Sequence, residues 1–210
     1  PPPPPPHIPP PPPPPITPLA CTLFPYTTLF RSAYSARPTI EERVAEAVNQ
    51  IKGAFAILLM TDNKIIAVRD PYGFRPLVLG KMENGWCVAS ESCAFDLVGA
   101  ELVRDVKPGE MIIIDSDNSE PRSMMWAENK PAKPAHCIFE YVYFARNDSI
   151  IDNQSVYDAR IQMGRELAKE TPDIHPDIVI SVPDSGTPAA IGYAMEAGVP
   201  FLEGLTKNRY

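Results

Sequence analysis

Long apolar runs are missing from this 210-residue chain: no stretch approaches the ~20 residues that a membrane-spanning helix needs. Cysteine is sparse. Cys21, Cys87, Cys93 and Cys137 form no CxxC pair and are too few for a disulfide scaffold. His7, His136 and His175 are scattered without ligand spacing, so a zinc site is not expected. The start lacks a basic segment followed by a continuous apolar one, which excludes a secretory signal. A phosphate-binding GxxxxGK loop ending in Ser or Thr is absent as well. Clustered cations are also lacking. Of 19 Lys and Arg, only Arg31 lies in the first 32 residues, leaving 18 basic against 26 acidic groups, net −8, in residues 33–210. Such a body is poorly suited to displacing counterions from nucleic-acid phosphates. These absences point to a soluble, cytoplasmic protein with neither a nucleic-acid nor a membrane partner.

What is present is unevenly spread. Fifteen of the 27 prolines fall in residues 1–32. A run such as PPPPPPHIPPPPPPP cannot donate backbone hydrogen bonds and settles into an extended left-handed helix, suited to a spacer or to a proline-recognising groove. The next stretch, TLFPYTTLFRS (22–32), has the propensities of an edge strand. It also resembles the in-frame translation of a sequencing adapter over all eleven residues. Residues 1–32 are therefore expected to be low complexity plus an assembly artefact, outside any core.

From Thr39 the signals turn conventional. Thr39 with Glu42 makes a capping box, and Ile40, Val44, Val48 and Ile51 recur at helical spacing, predicting a helix from about Ile40 to Lys52. GAFAILLM (53–60) and KIIAVRD (64–70) read as a hairpin. Strands are expected through Leu77–Leu79, over 86–90 and over 108–116, with a short helix in ESCAFDLVG. Residues 116–135, polar with three prolines, read as a linker. Beyond it CIFEYVYFAR alternates like a strand, and SVYDARIQMGRELAKE is an amphipathic helix. DIVISVP, the PDSG loop, the helix TPAAIGYAMEAG and VPFLEGL follow. Strand, tight loop, helix, strand is the grammar of a parallel α/β sheet.

The loop Asp184–Ser185–Gly186–Thr187 is the most informative site. N–H groups at a helix start converge on one spot, the helix dipole favours an anion there, and Gly186 permits close approach. Ligands of open α/β sheets also sit at the carboxyl ends of strands. Plain capping by Ser185 or Thr187, with Pro188 opening the helix, explains the same residues. Lys207 and Arg209 could meet phosphate or merely be a solvated basic end. Asp70, Arg75, Glu91 and Asp96 could form one polar network around the DPYGFRPL turn, most simply as structural ion pairs. Free core thiols are the plain reading of the cysteines.

Several stretches together are particular. GAFAILLM, RDPYGFRPLVLG, VASESCAFDLVGAE, RDVKPGEMIIID, FEYVYFARNDSIID, SVYDARIQMG and TKNRY resemble glutamine phosphoribosylpyrophosphate amidotransferases, the amidophosphoribosyltransferases. The likeness runs in order across 39–210. It implies an α+β fold: the C-terminal part of an αββα N-terminal-nucleophile glutaminase sandwich (33–115), a linker (116–135), and the start of an α/β type-I phosphoribosyltransferase domain (136–210). It further implies that glutamine releases ammonia, which displaces pyrophosphate from phosphoribosyl pyrophosphate (PRPP) to give phosphoribosylamine, the first committed step of purine synthesis. Mg²⁺ would assist the leaving group.

Carried over residue by residue, the resemblance makes Asp184, Ser185, Gly186 and Thr187 the pyrophosphate loop, with Ser185 at the Mg²⁺–PRPP site. Lys207 and Arg209 match basic residues near ribophosphate and purine nucleotide feedback inhibitors. Cys137 matches the first ligand of a 4Fe–4S cluster found in one branch. A homo-oligomer is also implied. The family's N-terminal Cys-Gly nucleophile has no match here, since Cys21 precedes Thr, so no catalytic residue is assigned. Its glutamine-binding arginine, oxyanion-hole Asn-Gly pair and PRPP ribose loop are likewise unmatched. Residues 33–210 are thus expected to be an internal fragment, inactive and aggregation-prone alone. Two other readings stand beside this one. Another class-II glutamine amidotransferase would explain 53–115, and a proline-rich binding fragment would explain 1–32.

Overall fold

The computed structural model describes residues 32–116, 119–127 and 134–208. His7, Cys21, the proline run and Arg209 lie outside them. Helix α1 (Ile40–Val48) starts at the expected capping box: Glu42 N donates to Thr39 Oγ1 and Thr39 N to Glu42 Oε2, both at 3.3 Å. It stops four residues short of Lys52. Gln50 and Ile51 close tighter turns onto Ala47 O and Val48 O, and Gly53 then takes φ 106°.

Strands β1 (Ala56–Met60) and β2 (Lys64–Arg69) form the expected hairpin. Then come β3 (Val78–Met82), β4 (Gly85–Ala89), the short helix α2 (Cys93–Val98), β5 (Glu101–Asp105), β6 (Glu110–Asp115) and β7 (Arg122–Met125). One antiparallel sheet runs β1-β2-β6-β7 and a second runs β4-β3-β5. Strand β7 pairs with β6 inside the stretch read as a linker, which therefore supplies part of the first sheet. Neither β5 nor β7 is apparent from sequence periodicity.

Period-two alternation sorts the side chains of β2 and β6 between two cores. Ile66, Val68, Met111 and Ile113 face Val44 and Val48 of α1. Ala67 and Ile112 face Leu79 of the second sheet and Leu77 and Val106, which flank its strands. Helix α2 lies on that sheet's other side, where a Cβ on Gly80 would come within 2.8 Å of the Phe95 ring. The order is helix, sheet, sheet, helix. Because β2 and β6 are covered on both faces, they read as continuous apolar runs.

Residues 134–208 are built differently. Residues 140–144 form a π-helical turn, not the expected strand. A small hairpin, β8 (Ile150–Ile151) and β9 (Gln154–Ser155), turns through Asp152 and Asn153, both at positive φ. Helices α3 (Val156–Glu170) and α4 (Thr187–Ala197) follow, as expected. They approach so closely that a Cβ on Gly164 would sit 1.9 Å from Ala189 O, and one on Gly192 2.1 Å from Ile161 O. The two strands expected around α4 reduce to one parallel bridge, Val179 with Phe201. The parallel direction is as expected; the strand length is not.

Candidate functional site

The loop between Val179 and α4 turns back over its own chain. Its Pro183–Asp184 peptide is cis. Gly186 packs against Val182 O so closely that a Cβ would lie 2.7 Å away. Gly186 therefore serves the loop's own closure, at an ordinary φ of −76°.

The capping alternative takes an unexpected form. Gly186 itself is the N-cap, no side chain caps the helix, and Thr187 and Pro188 open its first turn. The Thr187 hydroxyl instead pairs with Ser181 Oγ at 3.1 Å. Ser185 Oγ and the N–H groups of Ser185 and Gly186 find no acceptor or partner among the described residues. The result is an uncapped helix start with spare donors, an arrangement that suits an oxyanion.

Lys207 reaches the same loop, its Nζ 3.4 Å from Asp184 Oδ2. Both side chains are more than half exposed, so the pair is weak and its cation remains accessible. The structure thus brings together five of the six sequence-named binding residues, Asp184, Ser185, Gly186, Thr187 and Lys207.

Donor chemistry separates the two implied metals. Among the described residues no group of three or more His, Cys, Asp and Glu converges on a point. Magnesium keeps several waters and binds through few protein groups plus substrate phosphates. The Asp184 carboxylate and Ser185 hydroxyl fit that mode. An iron–sulfur cluster takes four thiolates, and Cys137 is the one cysteine in residues 134–208. The described residues do not fit a cluster.

The DPYGFRPL turn is not one network with Glu91 and Asp96. Asp70 accepts from Tyr72 N (2.9 Å), Phe74 N (3.2 Å) and Arg75 N (3.4 Å). Buried Arg69 donates to the carbonyls of Arg75, Val106 and Gly73. Arg75 and Glu91 instead reach residues 140–149, and Asp96 is exposed. Arg75 Nη1 lies 2.6 Å from Glu140 Oε1, off the line of a good hydrogen bond, so Glu140 has a charge partner without an aligned donor. Burial pushes the Glu140 pKa up; Arg75 pulls against this and Glu91 adds to it.

Known proteins resemble this chain over most of its length. Residues 28–96 match the glutamine amidotransferase domain family. The amidophosphoribosyltransferase of Mycobacterium tuberculosis is 49% identical over 176 residues, 84% of this chain and 32% of that protein. That of Archaeoglobus fulgidus is 48% identical over 169 residues, 80% of this chain and 35% of its own. Over these residues the chain is similar to amidophosphoribosyltransferases. A solved glutamine PRPP amidotransferase from B. subtilis, complexed with ADP and GMP, superposes with a TM-score of 0.82 at 42% identity, covering 87% of this chain and 39% of that one. The chain spans about a third of the length of the amidophosphoribosyltransferases it matches. Its two antiparallel sheets between helices agree with the α+β fold of those enzymes.

Proposed function

We propose that this chain carries the junction of an amidophosphoribosyltransferase, with residues 33–115 belonging to the ammonia-releasing glutaminase sandwich and 136–210 to the start of the phosphoribosyltransferase domain. The observation that carries the reading is the uncapped start of α4, with spare Ser185 and Gly186 donors beside Lys207. There the loop 184–187 receives the pyrophosphate of PRPP. Another class-II amidotransferase would account for the first sheets but not for this loop.

In the reaction, water splits the glutamine side-chain amide to glutamate and ammonia. The ammonia nitrogen then forms a bond to the sugar carbon as the bond to pyrophosphate oxygen breaks, with inversion, and loses a proton. This chain's share is to bind and orient the leaving group. N–H donors and Lys207 meet developing negative charge where the helix dipole already favours it. Ser185 and Asp184, together with the substrate phosphates, would hold magnesium, which would supply charge neutralisation for the leaving group. Lys207 and Arg209 are assigned to the ribophosphate and to purine nucleotide inhibitors. A homo-oligomer in the cytoplasm completes the reading. No described helix is long and apolar enough to cross a membrane.

Titration of PRPP with Mg²⁺ tests it. Gly186→Val, which meets Val182 O, is expected to weaken binding by at least about tenfold while leaving the first two sheets folded. Equal binding by the wild type and this variant would remove the loop from the site.

A further inference from the structure

The anion loop is tied to a part of the molecule far away in sequence. Glu91, just before α2, accepts from Arg146 N at 2.8 Å and Ser149 Oγ at 2.7 Å through a single oxygen, Oε2. Ser92 Oγ accepts from Ile150 N at 2.7 Å. Ser92 and Ser149 are buried, so the bonds from Ser149 Oγ and Ile150 N are partly shielded from water, while the one from Arg146 N is exposed. The Arg146 side chain folds away onto Asp148, which leaves its main-chain N–H to the carboxylate.

Within the segment so held, the Asn147 side chain is fixed at its oxygen. Oδ1 accepts from the Arg160 guanidinium, which is 2% exposed and also donates to Tyr141 O and Ala145 O. The remaining end, Nδ2, donates to Asp184 O at 3.4 Å. That same carbonyl accepts from Thr187 N and so shapes the turn into α4. Among the described residues Arg160 has no carboxylate at ion-pair distance. Burial lowers its pKa, and the field of Glu91 is what opposes this.

We propose that Glu91 is a positioning residue for the loop 183–187, acting through segment 146–149 and the Asn147 amide. The proposal rests on the reading of that loop as the PRPP site. It means that the first two sheets, not only α4, set the loop's geometry. The carboxylate matters twice, as acceptor for the segment and as countercharge for Arg160.

Two variants of the full chain separate the links. Glu91→Ala removes the anchor. Asn147→Asp keeps the acceptor for Arg160, removes the donor to Asp184 and adds a negative charge. Amide hydrogen exchange should quicken about tenfold at Arg146 and Thr187 in Glu91→Ala, and at Thr187 alone in Asn147→Asp. In titrations with PRPP and Mg²⁺ each variant should weaken binding about threefold to tenfold, the double variant no more than the worse single one. Glu91→Gln should recover part of the Arg146 protection through its remaining oxygen. Thr187 exchange unchanged in Glu91→Ala, or binding losses that multiply in the double variant, would overturn the relay. Should the wild type fail to bind PRPP while Thr187 exchange still answers to Glu91, the relay stands and the ligand reading falls.

Discussion

Residues 32–127 and 134–208 solve the burial problem in opposite ways. In the first region antiparallel ladders build two stacked sheets between two helices, and Ile66, Ala67 and Val68 reach 0% exposure. In the second, the one cluster of buried apolar residues is Ala145, Ile151 and Val156, while Phe139, Tyr143 and Phe144 are each more than half exposed. Hydrophobic area holds the first region. The second depends on close backbone contact between α3 and α4, and on polar ties to the first through Glu91, Ser92 and Arg75. The loop proposed to receive an anion belongs in the second kind of structure, because its polar backbone groups cannot be buried without partners.

The largest expected effect breaks the second region alone. Gly192→Val places carbon where Ile161 O lies, and no side-chain rotation can relieve a backbone clash. A loss above about 3 kcal/mol is expected, seen as loss of amide protection in α3 and α4 with protection in β2 and β6 retained. Protection lost everywhere would show that the two regions melt as one cooperative unit, and the contrast would fail.

An intermediate effect belongs to the first region. Glu110 is 1% exposed and accepts from both ends of the Arg104 fork at 2.7 and 2.8 Å, from Ser123 Oγ and from Lys107 N. Burial opposes its ionisation, but these donors together outweigh it and hold the pKa below the ordinary value. A carboxylate lowered in the folded state stabilises above its unfolded pKa of about 4.3, and that stability is lost as pH falls through the folded value. Glu110→Gln should cost about 2–3 kcal/mol at pH 7 by denaturant melting, the difference from wild type closing in acid. A difference independent of pH would mean that packing, not charge, makes this site.

The sequence announced what short-range chemistry controls. The Thr39–Glu42 box, the β1–β2 hairpin, α3, and α4 with its preceding loop follow from caps, alternation and turn residues lying within a few positions of one another. What it concealed depends on distant partners. Residues 140–144 alternate like a strand, yet buried Arg160 takes the carbonyls of Tyr141 and Ala145, and the chain winds into a π-turn with Tyr143 and Phe144 outward and Tyr141 packed inward. Strand β7, RSMM, carries too little apolar character to stand out and is specified by the edge of β6. At the site, residue types and order were legible in Asp184 to Thr187. That Gly186 would be the cap, and that Glu91 would answer to Arg146 and Ser149 rather than to Asp70, was not.

The smallest effect probes the seam between the regions. Glu140 is 4% exposed, and its neighbours leave its pKa raised, the opposite of Glu110. An acid with a raised folded pKa favours the fold while protonated, and this contribution is lost as pH climbs through the folded value. Glu140→Gln imitates the protonated form at every pH, and half-exposed Arg75 gives up a partner it can replace with water. The variant should therefore lie within about 1 kcal/mol of wild type, gaining relative to it between pH 4 and pH 7. A loss that instead grows toward pH 7 would make the Arg75 pair stronger than the burial it opposes. The seam would then be held by charge as firmly as the Glu110 site, and the two regions would differ in packing but not in how they carry a buried carboxylate.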